Sequence, residues 1–155
     1  TEIERKYLVV GDFRADSERS EEVVQGFLSS VPERTVRVRK CSGRGYLTIK
    51  GKGDATGTTR FEWECEISAE EADSLLAICE PGLIEKKRYY VPVGDSLFEV
   101  DEFFGDNEGL IVAELELEHP DDPVPAPAWL GPEVTGDARY YNAALRAYPY
   151  RLWTE

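Results

Sequence analysis

Polar and apolar residues alternate with a period of two along most of this chain, the spacing that sends successive side chains to opposite faces of a β-strand. The pattern predicts strands over Ile3–Val10, Val23–Leu28, Arg34–Cys41, Gly45–Lys50, Arg60–Ser68, Ile84–Val93, Leu97–Phe103 and Leu110–His119. Two segments depart from it. Ser68-Ala69-Glu70-Glu71 has the spacing of a capping box and opens a helix predicted to run through Cys79. After Gly136, residues Tyr141, Ala144, Leu145 and Tyr148 recur at helical spacing, which predicts a second helix over Asp137–Tyr148. The stretch from Pro120 to Pro132 holds five of the nine prolines and reads as an extended loop. The run Asp16–Glu22 reads as a solvated acidic loop or helical turn. Eight strands and two helices point to a mainly β fold (α+β), an antiparallel barrel or sandwich.

The polar faces carry the information. Arg37 and Arg39 share one face of their strand, Lys86 and Arg88 share another, and Lys50 follows Thr48 and Tyr46. The acidic rows are Glu2 with Glu4, Glu62 with Glu64 and Glu66, Glu99 with Asp101, and Glu114 with Glu116 and Glu118. A solvated sheet would gain more from mixed signs. Like charges ~4 Å apart repel by about 1 kcal/mol in water but by about 4 kcal/mol at an effective dielectric of 20. If such rows face a shared cavity, the basic ones call for an anion and the acidic ones for cations.

Composition narrows this further. The chain has 155 residues, a length suited to one domain spanning 1–155, and 41% hydrophobic residues, enough to bury a core without disulfides. Its 18 basic and 31 acidic residues leave a net charge of -13, which argues against nucleic acid or an anionic membrane as a partner. No apolar run is long enough for a transmembrane helix, and no secretory signal is visible. Cys41, Cys65 and Cys79 lack CxxC spacing and suit free thiols in a reducing compartment, so a cytoplasmic location is expected. The single histidine, His119, leaves little room for zinc chemistry and reads as a structural or surface residue.

The opening Glu2-Ile-Glu4-Arg-Lys6 resembles the ExExK signature of the CYTH superfamily, the triphosphate tunnel metalloenzymes. Other blocks of that family recur in order: Gln25-Gly-Phe-Leu, Thr35-Val-Arg-Val-Arg39, Leu47-Thr-Ile-Lys50, Arg60-Phe-Glu-Trp-Glu64, Glu85-Lys-Lys-Arg-Tyr89, Phe98-Glu-Val-Asp101, Leu110-Ile-Val-Ala-Glu-Leu-Glu116 and Glu133-Val-Thr-Gly-Asp-Ala-Arg-Tyr140. The set covers almost the whole chain and is most similar to compact bacterial members. It implies an eight-stranded closed antiparallel barrel with a polar lumen and helices packed on its outer wall. Seven of the 18 basic residues (Lys6, Arg37, Arg39, Lys50, Arg60, Lys86 and Arg88) would then point inward, a basic pocket inside an acidic protein.

The resemblance also implies roles. Glu2, Glu4, Glu114 and Glu116 would hold Mg²⁺ or Mn²⁺, two ions per site, with Asp101 as a further ligand. Arg37, Arg39, Lys50, Arg60, Lys86, Arg88 and Arg139 would grip the phosphates. Lys6 would position the first strand or a phosphate, and Glu62 and Glu64 would serve the second metal or the lytic water; Lys86 stands with Glu2, Glu4, Lys6, Glu62 and Glu64 among the expected catalytic residues. Oxygen-only ligands suit hard octahedral cations, and phosphoryl transfer depends on positioning and charge neutralisation more than on a covalent nucleophile. The implied activity is metal-dependent hydrolysis of inorganic tripolyphosphate. Adenylate cyclase and thiamine triphosphatase stay open on the same fold, as does a non-catalytic polyphosphate or nucleotide sensor. The family leaves room for a homodimer. Among the aromatics, Trp63 is expected under a helix on the outer wall, Trp129 and Trp153 over the tunnel mouth, and Tyr140 and Tyr141 seating the last helix rather than meeting substrate.

Overall fold

The computed structural model describes residues 2–153, apart from the side chains of residues 143, 146 and 147; the two ends of the predicted 1–155 domain thus lie outside the described residues. Ten strands form one antiparallel sheet: β1 (Glu2–Val9), β2 (Arg19–Ser29), β3 (Arg34–Cys41), β4 (Arg44–Gly51), β5 (Thr59–Arg60), β6 (Glu62–Ile67), β7 (Ile84–Val93), β8 (Ser96–Phe103), β9 (Ile111–Glu116) and β10 (Leu130–Glu133). Helix α1 (Ala69–Leu76) follows β6, and α2 (Asn142–Ala147) follows β10. The strand order is β10-β1-β9-β8-β7-β2-β3-β4-β6, with β5 paired to β1 off that path. No helix among the described residues is long and apolar enough to cross a membrane.

The eight-stranded closed barrel is corrected by this topology: the sheet has ten strands and its ladder does not close. The reason lies at β1. One edge of β1 pairs with β9 from Glu4 to Leu8. The other edge is divided among several partners. Glu2 and Ile3 pair with β5, the Glu4 N–H donates to the Thr58 carbonyl, and Tyr7 and Val9 stand opposite β10. The edge that β6 would need for closure is therefore taken. The predicted strand Arg60–Ser68 breaks at Phe61, whose carbonyl accepts from the Gly51 N–H, so that β6 stays with β4 and only two residues reach β1.

Three other predicted segments differ. Asp16–Glu22 is not a loop throughout: after a 3₁₀ turn at Arg14–Asp16, β2 begins at Arg19 and pairs with Tyr90–Lys87 of β7. The proline-rich stretch is mostly irregular, yet it ends in β10, where Pro132 is tolerated because this strand lies at the sheet edge. The second predicted helix is a 3₁₀ turn at Ala138–Tyr140 followed by the short α2.

Capping behaves as its sequence requires. The Ser68 hydroxyl accepts from the Glu71 N–H at 3.0 Å and the Glu71 carboxylate accepts from the Ser68 N–H at 2.9 Å. Helix α1 then lies on β3 and β4, with Ala72 so close to Gly45 that a Cβ there would stand 2.7 Å from the alanine methyl. Trp63 is not covered by it. Trp63 is 46% and Phe61 61% exposed, which corrects the expectation of an outer-wall core residue under a helix.

Apolar packing divides into two clusters. On the outer side of β1, β7, β8 and β9, Tyr7, Val91, Phe98, Val100, Ala113 and Leu115 are covered by Phe13 and Trp129, which come from loops rather than helices. Trp129 meets Phe98 edge to face at 5.2 Å and so belongs to this core, not to the tunnel mouth. The second cluster, Ile84, Phe103, Leu110, Val112, Tyr140 and Leu145, is built partly from the same strand faces that carry the charges. It stops one end of the interior, and Trp153 meets its Tyr140 edge to face at 5.1 Å.

Candidate active site

Alternation on the curved sheet turns one face of β1, β3, β4, β6, β7, β8 and β9 onto a cavity of about 720 Å³. Its wall includes Glu2, Glu4, Lys6, Arg37, Arg39, Lys50, Arg60, Glu62, Glu64, Arg88, Glu114 and Glu116, twelve of the residues expected from the sequence. The register explains why they meet. Lys6 faces Glu114 and Glu4 faces Glu116 across β1–β9, while Lys50 faces Glu62 and Thr48 faces Glu64 across β4–β6.

The basic wall is crowded and incompletely satisfied. Burial, then Arg39 and Arg88, push the Arg37 guanidinium down to about 10. Its Nη2 donates to the Thr48 hydroxyl at 3.3 Å, and that hydroxyl donates to Glu64 at 2.6 Å. The Nε atoms of Arg37 and Arg39 are buried and have no partner. Donors left unpaired in an interior are rare and costly, so this wall is arranged for an anion that accepts from it.

The acidic wall has the complementary strain. Burial and the neighbouring Glu114 charge push the Glu4 carboxyl up to about 8. Burial opposes ionisation of Glu114 too, but Lys6, Arg88 and a hydrogen bond from Glu4 hold it well below the usual carboxylate range. Glu2 is held by Lys50, whose Nζ lies 3.0 and 3.2 Å from its two oxygens, and by Arg60 at 3.4 Å. Burial and Glu2 together raise Glu62.

Three expected residues lie elsewhere. Asp101 is buried behind the wall, with both oxygens engaged: Arg88 donates through Nε and Nη2 at 2.8 and 2.9 Å, and Lys86 donates at 2.8 Å. Its expected place as a metal ligand is corrected, since it orients Arg88 instead. Lys86, expected to hold phosphate and to serve catalysis, is fully buried on Asp101 and does not line the cavity; burial brings it down to about 8 against the pull of Asp101. Arg139, also expected on phosphate, turns outward, pairs with Asp137 at 2.8 Å and lies over the Tyr140 and Trp153 rings. The Glu133-Val-Thr block is structural: Glu133 accepts from Arg5 at 2.8 Å and from Thr135 at 2.6 Å, and Thr135 accepts from the Lys6 N–H, which together latch β1.

Sequence reasoning missed other wall residues. Thr35 and Lys52 line the cavity, and their even spacing from Arg37 and Lys50 was the available signal. Tyr141 also lines it, contrary to expectation, with Lys6 over its ring at 5.0 Å and Arg60 at 5.8 Å. Nothing local in the sequence marks that role, because it depends on where the chain returns after β10.

Among the described residues, no three His, Cys, Asp or Glu side chains are already gathered closely enough to hold a metal ion. The donor chemistry nonetheless fits a hard divalent cation. Glu2, Glu4, Glu114 and Glu116 supply only oxygen, the donor type that such cations take.

Comparison with known proteins agrees with this geometry. The CYTH domain family model matches residues 1–141. An inorganic triphosphatase of Acetivibrio thermocellus is 42% identical over 155 residues, covering 99% of this chain and 98% of its own length. One from Nitrosomonas europaea is 35% identical over 154 residues, covering 94% and 96%. The solved structure of the inorganic triphosphatase NE1496 is similar at a TM-score of 0.66 and 33% identity, with 94% of each chain covered. Matched from its first strand to the approach of its last helix, the chain belongs to the CYTH family.

Proposed function

We propose that this protein is a metal-dependent triphosphatase that hydrolyses inorganic tripolyphosphate to pyrophosphate and phosphate. The observation that carries the reading is the crowded, largely buried pair of guanidinium groups on Arg37 and Arg39, with the Arg37 Nε unpartnered, set in a cavity whose opposite wall is carboxylate. The names of the two full-length relatives support it.

Arg37, Arg39, Lys50, Arg60 and Arg88 bind phosphate oxygens, the arginines through forked donors and the lysine as a point charge. The fork from Asp101 holds Arg88 in place for this task. Glu2, Glu4, Glu114 and Glu116 hold Mg²⁺ or Mn²⁺, with two ions the favoured count. When bound, such cations neutralise charge on phosphoryl oxygens and make a water more acidic. Glu62, raised by burial and by Glu2, would accept the proton of the attacking water from its position on the wall, with Glu64 beside it. Water adds to a terminal phosphorus as the bond to the bridging oxygen breaks and pyrophosphate leaves. Lys6 keeps Glu114 ionised and so keeps the acidic wall ready for a cation.

The test is phosphate release from tripolyphosphate, pyrophosphate, ATP and thiamine triphosphate with Mg²⁺, Mn²⁺ or EDTA. Metal-dependent release from tripolyphosphate, with little from ATP, is expected. Equal release from ATP, formation of cyclic AMP, or no release from any of the four overturns the reading.

A further inference from the structure

The block Gln25-Gly26-Phe27 is not explained by the charged rows. Its glycine has a packing reason: a Cβ on Gly26 would stand 2.8 Å from Leu83 Cδ2 and 3.0 Å from Cys79 Sγ, so this face of β2 lies flush against the segment that follows α1. Alternation then turns Gln25 and Phe27 the other way. Phe27 lines the cavity and is in register with Arg37, and Gln25 is in register with Arg39.

Gln25 is 0% exposed, and neither its Oε1 nor its Nε2 has a hydrogen-bond partner. Across the ladder, the Arg39 Nε is also buried without a partner. Directly opposed residues on paired strands hold their Cβ atoms about 4.5–5.5 Å apart, within reach of a hydrogen bond between two long side chains. Here the pair is held apart from the far side. Arg39 Nη2 leans to Glu64 at 3.7 Å and its guanidinium lies over the Tyr46 ring at 5.3 Å, both on strands away from β2.

We infer that Gln25 is a positioning residue for the bound triphosphate, acting through Arg39. When the anion draws the terminal nitrogens of Arg39 off Glu64, the Nε–H turns to Gln25 Oε1, and the carboxamide fixes the plane in which the guanidinium meets phosphate. A buried amide with no partner in the ligand-free state is then held in reserve for the ligand-bound one. The inference rests on the triphosphatase reading of the same cavity.

The experiment measures KM and kcat for tripolyphosphate, and its binding in EDTA, for the unaltered protein, Gln25→Met, Arg39→Ala and the double variant. Hydrogen bonds to charged groups are worth about a ten- to hundredfold change in affinity, so Gln25→Met should raise KM at least about tenfold. Its kcat should stay within about twofold, and its ligand-free Tm should be unchanged or higher, since an unsatisfied amide is removed. In the Arg39→Ala background the same change should add less than about twofold, as expected for residues that act as a unit. A wild-type KM in Gln25→Met, or an equal loss in both backgrounds, overturns the inference while leaving the triphosphatase reading intact. Absence of both binding and turnover in the unaltered protein sinks that reading, and the inference with it. Should Gln25→Met not fold, ¹⁵N NMR of the Arg39 Nε–H in the unaltered protein decides the matter. A slowly exchanging signal that appears on titration with tripolyphosphate supports the inference, and unchanged exchange overturns it.

Discussion

Glu4 on β1 and Glu114 on β9 stand one diagonal step apart on the same face, and a hydrogen bond from Glu4 helps to keep Glu114 ionised. Burial and the charge of Glu114 push Glu4 up to about 8, above its ordinary 4.5. For such a group the protonated form favours the native state. That contribution is complete below pH 4.5 and is lost as pH rises towards about 8. A divalent cation at this pair must displace the proton. Calorimetry at pH 7 in buffers of different ionisation enthalpy should therefore register about one proton released per cation, with affinity rising up to about pH 8. Glu4→Gln should bind the cation weakly and lose turnover. Cation binding without proton release would remove these two carboxylates from the metal site.

Asp101 compensates two buried cations at once. Removing one partner of a buried pair leaves an uncompensated charge, so Asp101→Asn should cost about 3–5 kcal/mol in urea unfolding at pH 7. Burial works against the ionised carboxylate, but Arg88 and Lys86 hold Asp101 below its ordinary 3.8. Its stabilising contribution is present above pH 3.8 and is lost as pH falls through the lower native value. The gap between variant and wild type should accordingly narrow in acid. A gap that stays constant from pH 7 to 3 would mean that Asp101 is not the counter-charge.

Tyr141 places one aromatic ring beneath Lys6 and Arg60. Such contacts contribute about 0.5–2 kcal/mol, more when dry. Tyr141→Ala should raise KM for tripolyphosphate by roughly fivefold, because about 1 kcal/mol corresponds to that factor, whereas Tyr141→Phe should behave as wild type. Equal losses in both variants would assign the effect to the hydroxyl rather than to the ring.

Gly57 and Gly136 join the loop before β5 to the segment after β10. Both have positive φ, and a Cβ on Gly57 would stand 2.5 Å from Gly136 Cα. A Cβ on Gly136 would stand 2.8 Å from the Thr56 carbonyl oxygen. Gly136→Ala should cost about 1–3 kcal/mol through backbone strain and steric overlap. It should also speed amide exchange over 53–58 and 136–142 relative to the β7–β8 hairpin. Unchanged exchange in those two segments would show that the seam does not hold the cover of the cavity.

Much of the site was legible because it depends on alternation, which is local. The inward rows on β3, β4, β7 and β9 follow directly from period-two spacing, and twelve expected residues do line one cavity. Strand ends were less legible. Neither Arg19, placed in a strand by the Tyr90 side of β7, nor β10, placed at an edge among prolines, shows its pairing in its own neighbourhood.

The order of residues along each strand thus determined which side chains share a face, and with it the sign of each row and the class of ligand it calls for. Only the tertiary structure decided how deep each side chain lies on its face. Asp101 and Glu99 have the same parity on β8, yet Glu99 lines the cavity while Asp101 lies behind the wall, paired with the buried Lys86 and with Arg88 of the wall. Tertiary structure also decided that the sheet stays open. Closure depends on which strand takes the second edge of β1, and β5 and β10 divide that edge between them. Parity is carried by the covalent chain, whereas depth and edge pairing arise from contacts between residues far apart in it.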